Sequence, residues 1–253
     1  MRTISPGIDF YAARIQEGDP FTLIRYGDGD LQHIVPDLPP TFRGGRAHGG
    51  PSRRATIIWS QEDHRLALRQ TFLERYDSPR YWMALWYARY FDRQGYAQIA
   101  DAWLDEVGLG DVEFHDGSIW RSATRKGKMY PLLKAIREQP LPIVVIAPEE
   151  MEDIRGKLPV TKFITSPFPN DLEDVDVFVE EVLDLDQPVF LIMCAAVAGK
   201  MAIHRLFPTI GEESFLVDFG GALHGLCGRY VRGVYGPKMM LSPRELRLNW
   251  EGA

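Results

Sequence analysis

Apolar positions change their spacing about halfway along this chain. From residue 112 onward, short runs of β-forming residues alternate with stretches of helical period. Pro142-Ile143-Val144-Val145-Ile146-Ala147 and Val189-Phe190-Leu191-Ile192-Met193-Cys194 are apolar at nearly every position; Val112 to His115, Lys162 to Thr165 and Ser214 to Asp218 are shorter strand candidates. Tyr130 to Arg137, a stretch from about Glu149, Asp171 to Leu185 and Ala198 to Phe207 read as the helices between them. Strands without a polar face are buried on both sides, so the alternation predicts a parallel sheet covered by helices. Thr22 to Tyr26 adds an early strand, preceded within residues 1–20 by an amphipathic helix carrying Ile8, Phe10, Tyr11, Ala12 and Ile15. Residues 60–107 read as helical, with Trp82, Leu85, Trp86, Tyr90 and Phe91 as an aromatic stripe that belongs to a core. The expectation is an α/β fold: one Rossmann-like domain over residues 1–253, a mainly parallel sheet, helices on both faces and the helical 60–107 segment at one side. The last 25 residues or so read as irregular structure, ending in a polar tail from about 242.

Composition narrows the function without naming it. The 253 residues suffice for a large core, and a net charge of -6 gives no global field that would draw the chain to nucleic acid or anionic membrane. Two cysteines, Cys194 and Cys227, form neither a disulfide framework nor a zinc spacing. The N-terminus has no apolar signal core, and the longest apolar run, Val189 to Ala198, is too short to span a bilayer. A cytoplasmic protein is expected. Arginines cluster at Arg43 to Arg54, Arg121 to Lys128 and Arg229 to Lys238, which suits phosphate contacts.

In parallel sheets ligands bind beyond the carboxyl ends of the strands. Four expected strand exits carry polar or flexible residues: Gly27 to Asp30, Pro148 to Glu150, Ser166 to Asn170 and Asp218 to Gly221. The first is the most informative. Arg25-Tyr26-Gly27-Asp28-Gly29-Asp30 places two carboxylates on an expected tight turn, suited to a hard divalent cation that keeps water and substrate phosphate in its shell. A second candidate is Ala198-Gly199-Lys200. A P-loop would need glycine five residues before Gly199 and Ser or Thr after Lys200, and Cys194 and Met201 stand there, which excludes that motif. The turn still suits phosphate, and equally suits close helix–strand packing. His-Glu-x-x-His, Gly-x-Ser-x-Gly and Cys-x-x-Cys motifs are absent.

Taken in order, these segments resemble the bacterial glycosyltransferases of the GT-D fold. Arg25 to Asp30 is similar to the family's Arg-Phe-Gly-Asp-Gly-Glu, with Asp30 in place of glutamate. Ser166-Pro167-Phe168-Pro169-Asn170 resembles its Ser-Pro and Asn loop, Leu191 to Leu206 its strand, small-residue turn, Ala-Lys and helix, and Asp218-Phe219-Gly220 its Asp-Ile-Gly. The family often has His directly after that glycine; here Gly221 stands there and His224 follows later. The resemblance implies a transferase using a nucleotide-sugar donor, most simply a UDP-sugar, and a divalent metal, Mn2+ or Mg2+. By that resemblance Asp28 and Asp30 hold the metal. Arg25, Gly27, Gly29, Ser166, Asn170, Gly199 and Lys200 bind the donor, and Asp218 and Asp30 are the catalytic candidates. Arg53, Arg54, Arg121 and His224 are candidates for acceptor or phosphate contact. The acceptor is expected to be a glycan or glycoprotein, with a hydroxymethylated DNA base as the lesser option. A metal-dependent phosphohydrolase and a non-catalytic nucleotide-binding module are the competing readings.

Overall fold

The computed structural model describes residues 2–36, 38, 61–85, 95–167, 170–228 and 240–252, with the side chains of Arg2, Asp28 and Tyr96 outside that description. In chain order the strands are β1 (Arg2–Ile4), β2 (Thr22–Tyr26), β3 (Tyr81–Leu85), β4 (Glu113–Asp116), β5 (Ile143–Ala147), β6 (Val160–Thr165), β7 (Phe190–Met193) and β8 (Phe215–Asp218). The helices are α1 (Ile8–Gln16), α2 (Asp28–Ile34), α3 (Glu62–Leu73), α4 (Tyr96–Glu106), α5 (Ile119–Arg125), α6 (Tyr130–Glu138), α7 (Leu172–Leu183), α8 (Ala196–Ile210) and α9 (Pro243–Glu251). Short 3-10 turns span Glu149–Gly156, Gly220–Ala222 and Gly225–Cys227.

The strands form one sheet in the order β1-β4-β3-β2-β8-β7-β5-β6, and every pairing is parallel. Side chains alternate between its faces, as a pleated strand requires. In β5, Val144 and Ile146 join one core while Ile143, Val145 and Ala147 join the other; in β7 Leu191 and Met193 oppose Phe190 and Ile192. The first core is closed by α2, α3, α4, α7 and α8, the second by α1, α5, α6 and α9. This is why the strands are apolar at consecutive positions.

Three elements differ from the sequence reading. The 60–107 segment is not continuously helical: Tyr81–Leu85 is a central strand, pairing with β2 from Thr22↔Tyr81 to Tyr26↔Leu85. A strand buried on both faces has no alternation to betray it, and its apolar run passes for a helix stripe. Of that stripe, Trp86, Tyr90 and Phe91 lie outside the described residues. The three-residue β1, which pairs with β4, was too short to leave a pattern. The expected polar tail is α9: Ser242 accepts a hydrogen bond from Glu245 N–H, Glu245 accepts one from Ser242 N–H, and Trp250 and Asn249 are buried. Ser242-Pro243-Arg244-Glu245 is a capping box with proline at the first helical position, so the signal was present.

Aromatic packing ties β4 to α1. His115 stacks on Trp82 at 4.7 Å between centroids, and Tyr11 Oη lies 2.6 Å from His115 Nδ1. Burial lowers the His115 pKa from 6.5 to about 4. The imidazole stays neutral in the folded protein while the unfolded chain takes up a proton near pH 6.5. Stability from this residue is therefore present above 6.5 and lost as pH falls toward about 4. The stability difference between wild type and His115→Phe, measured by urea denaturation, should shrink across that window by on the order of a few kcal/mol. A constant difference would show that His115 does not titrate as described.

Candidate functional site

β2 and β8 lie side by side at the centre of the sheet, where the winding reverses: β3 and β4 extend from β2 on one side, β7, β5 and β6 from β8 on the other. Such a switch point leaves a crevice beyond the strand ends. Four of the expected residues meet there.

Lys200, on the first turns of α8, reaches across from the first core. Its Nζ lies 3.4 Å from Asp30 Oδ2 and 3.6 Å from Asp218 Oδ2, and it donates to Ala196 O at 3.0 Å. The side chains of Lys200 and Asp218 are 4% and 1% exposed, and that of Asp30 15%. A buried ammonium is tolerable only with such compensation. Asp218 is held from every side. Its Oδ2 accepts from Arg25 N–H at 3.2 Å, its Oδ1 from Gly220 N–H at 2.8 Å, and its backbone carbonyl from Trp120 Nε1–H at 3.1 Å.

Arg25 projects to the opposite face from Lys200, because the pleat alternates. Its Nη1 donates to Gly117 O at 3.1 Å, and its buried Nε has no hydrogen-bond partner among the described residues. Gly220 makes room for it: with φ +50, an added Cβ there would fall 2.1 Å from Arg25 Nη2. Gly220, two residues after Asp218, is favoured by its backbone angle, and a side chain there would also push the end of the Arg25 guanidinium aside.

The Gly-Asp segment is a helix start and not the tight turn expected from sequence. Gly27 is the N-cap of α2, Asp28 its first residue and Asp30 its third, and Asp30 Oδ2 accepts from Gly27 N–H at 2.7 Å. Gly27, Asp28 and Asp30 thereby form a helix start beside Lys200, while Gly29 is exposed with open space around it. Ser166 and Asn170 brace the neighbouring exit. Asn170 Nδ2 donates to Ala195 O at 2.6 Å and approaches Ser166 Oγ at 3.4 Å. These contacts hold the β7–α8 turn, where Ala196 adopts φ +46, a left-handed angle that costs a non-glycine residue about 1 kcal/mol or more. Gly199 lies inside α8. A Cβ there would meet Met193 Cγ at 2.6 Å, and its N–H donates to Ala195 O at 3.1 Å, so its place is in helix–strand packing.

The remaining candidates are not gathered into this cluster by any of these bonds. Arg121 is half-buried on α5. His224 is buried between two 3-10 turns, its pKa lowered by burial against the opposing effects of a Gly221 backbone hydrogen bond and the Glu150 charge. Arg53 and Arg54 lie outside the described residues. Gly117 and Trp120 contribute contacts that no sequence spacing signalled. Tyr26, the last residue of β2, was also not among the expected site residues: it is fully buried, its hydroxyl has no hydrogen-bond partner among the described residues, and burial with the charges nearby raises its pKa well above 10.

Does this donor set fit a divalent cation? No group of three His, Cys, Asp or Glu side chains suited to a metal occurs among the described residues. Both Asp218 oxygens already accept hydrogen bonds. Asp30, the more exposed of the two carboxylates and bonded through Oδ2 to Gly27 N–H, can offer one oxygen ligand. Small hard cations are commonly held in this way, through one or two carboxylates plus substrate phosphate rather than an all-protein cage.

Comparison with solved structures places this architecture. A glycosyltransferase of domain of unknown function 1792 from Streptococcus sanguinis aligns with TM-score 0.58 and 12% identity, over 87% of this chain and 82% of that one. A second structure, described as showing that this highly conserved domain has a distinct glycosyltransferase fold, aligns with TM-score 0.55 and 10% identity over 99% and 90%. A selenomethionine structure of the domain gives 0.53 and 10% over 88% and 79%. The chain shares their fold. The resemblance noted in the sequence and the likeness of the fold agree over most of the chain, at identities that speak for architecture alone. No family profile and no curated protein matches the sequence.

Gly220 and Arg25 offer a test of the geometry. Gly220→Ala should cost about 1–2 kcal/mol for its backbone angle, plus the displacement of Arg25. In an Arg25→Ala background only the backbone part should remain, giving an interaction energy of about 1 kcal/mol or more in a urea-denaturation double-mutant cycle. Strictly additive losses would place the guanidinium elsewhere.

Proposed function

We propose that this protein is a glycosyltransferase that moves a sugar from a nucleoside diphosphate donor, a UDP-sugar in the first instance, to a hydroxyl on a glycan or glycoprotein. The observation that carries the reading is the Lys200 ammonium held between Asp30 and Asp218 at the central switch point, with Arg25 on the other side of the same strand exit. In such a transfer the bond between the anomeric carbon and the β-phosphate oxygen breaks, and the diphosphate leaves with the electron pair. Lys200 and Arg25 are preorganised positive charges for that leaving group. α8 begins there without a side-chain cap, so its first amides add to the same field. The acceptor hydroxyl bonds to the anomeric carbon and passes its proton, through a general base, to solvent.

Asp218, one of the two catalytic candidates and the carboxylate that a general-base role would suit, is almost fully buried and accepts from two backbone N–H groups beside Lys200. Its role in this reading is to position Lys200 and the start of Arg25. Asp30, with Asp28 beside it in sequence, is the ligand for a divalent cation, Mn2+ or Mg2+, which when bound supplies Lewis-acid charge to the diphosphate. Ser166 and Asn170 act by fixing the β7–α8 turn. The arginine-rich 43–54 segment, with Arg53 and Arg54, remains the proposed acceptor side, and a DNA base the lesser acceptor. No helix among the described residues is long and apolar enough to cross a membrane.

A panel of UDP-sugars, followed by nucleotide release and by sugar transfer to simple glycosides, tests the reading. Wild type should release UDP from at least one donor. Lys200→Met and Asp30→Asn should each lower the rate by about a hundredfold or more, because a charge contact to a leaving group in a shielded site contributes a few kcal/mol. Binding of nucleotide without release would make the chain a nucleotide-binding module, and full activity in both variants would move the active site elsewhere.

A further inference from the structure

Lys200 has three protons to donate, and one of them is in a full hydrogen bond, to Ala196 O at 3.0 Å. Its approaches to Asp30 and Asp218, at 3.4 and 3.6 Å, exceed the length of about 2.7–2.9 Å usual for a charge-assisted N–H···O bond. The ammonium is shared between the two carboxylates without being committed to either. Neither carboxylate depends on it alone: Asp218 keeps the N–H groups of Arg25 and Gly220, and Asp30 keeps that of Gly27. Lys200 can therefore shift without leaving a bare buried charge behind.

That sharing has a consequence for any cation bound at Asp30. A divalent ion approaching this carboxylate meets the Lys200 charge beside the same group and is repelled. A diphosphate reverses the situation, because it offers the ammonium a stronger anionic partner and brings oxygen ligands of its own. We infer that Lys200 makes cation binding at Asp30 conditional on the diphosphate, so that metal and donor bind cooperatively and neither alone fills the site. The inference rests on the proposed reading of Asp30 as a metal ligand. By thermodynamic linkage the effect is reciprocal, and coupled sites commonly differ by about 5- to 150-fold.

The test is Mn2+ binding to the full chain, followed by electron paramagnetic resonance of the free ion, with and without UDP. The UDP–Mn2+ complex formed without protein is subtracted. Wild type should bind Mn2+ at least about tenfold more tightly when UDP is present. Lys200→Met should bind Mn2+ without UDP about tenfold more tightly than wild type, and UDP should add little further. Lys200→Arg, which keeps the charge, should stay weak without UDP. If Lys200→Met does not fold, the double variant Lys200→Met/Asp218→Asn removes the buried cation together with its most buried partner and carries the same expectation.

An unchanged UDP-free affinity in the methionine variant would overturn the lysine's role. If Asp30→Asn meanwhile abolished Mn2+ binding in the presence of UDP, the metal-ligand reading would stand without it. Wild type that takes up no Mn2+ even with UDP would overturn both.

Discussion

A lysine ammonium that is nearly excluded from water must be matched by negative charge, and in this fold that requirement organises the sheet's central crevice. Lys200 is matched by Asp218 at the end of β8 and by Asp30 on the first turn of α2. Removing either carboxylate leaves the buried ammonium short of compensation in a shielded place, a change that commonly costs several kcal/mol. The start of α2 is thus drawn to the consecutive elements α8 and β8, far from it in sequence, by a single charge.

Asp218 is the pivot of the arrangement. One of its oxygens faces Lys200 and accepts from Arg25 N–H, the other fixes Gly220, and its carbonyl holds the Trp120 indole. Because strands present alternate residues to alternate faces, Arg25 and Lys200 reach the crevice from opposite sides of the sheet. An anion lying over the ends of β2 and β8 would meet both. The left-handed Ala196, braced by Asn170 through Ala195, shows that the adjoining turn is also held in a conformation it would not choose alone.

Much of this was legible in the residues. The apolar runs of β5 and β7 and the helices after them follow from burial on two faces. Asp30 and Asp218 stand at strand exits with polar residues, Arg25 leads into the first of those exits, and Lys200 stands in the Ala198-Gly199-Lys200 turn that half-matches a phosphate-binding loop. β3 was hidden by the rule that revealed β5: a strand without a polar face has no period of its own, and between two helices it was absorbed into them. The capping of α2 by Asp30 was missed because Gly-Asp-Gly-Asp satisfies turn and helix-start preferences alike. Nothing in the spacing announces that Trp120 and Gly117, roughly a hundred residues from either partner, support Asp218 and Arg25. Those contacts follow from strand order, and strand order is a property of the whole chain.

The central claim is that the crevice at β2 and β8 is built for a nucleoside diphosphate. A crystal structure of the protein with UDP and Mn2+ tests it most directly. The account predicts diphosphate oxygens within hydrogen-bonding distance of Lys200 Nζ or the Arg25 guanidinium, beyond the ends of those two strands. UDP bound at another strand exit, with Lys200 still lying between Asp30 and Asp218, would contradict it.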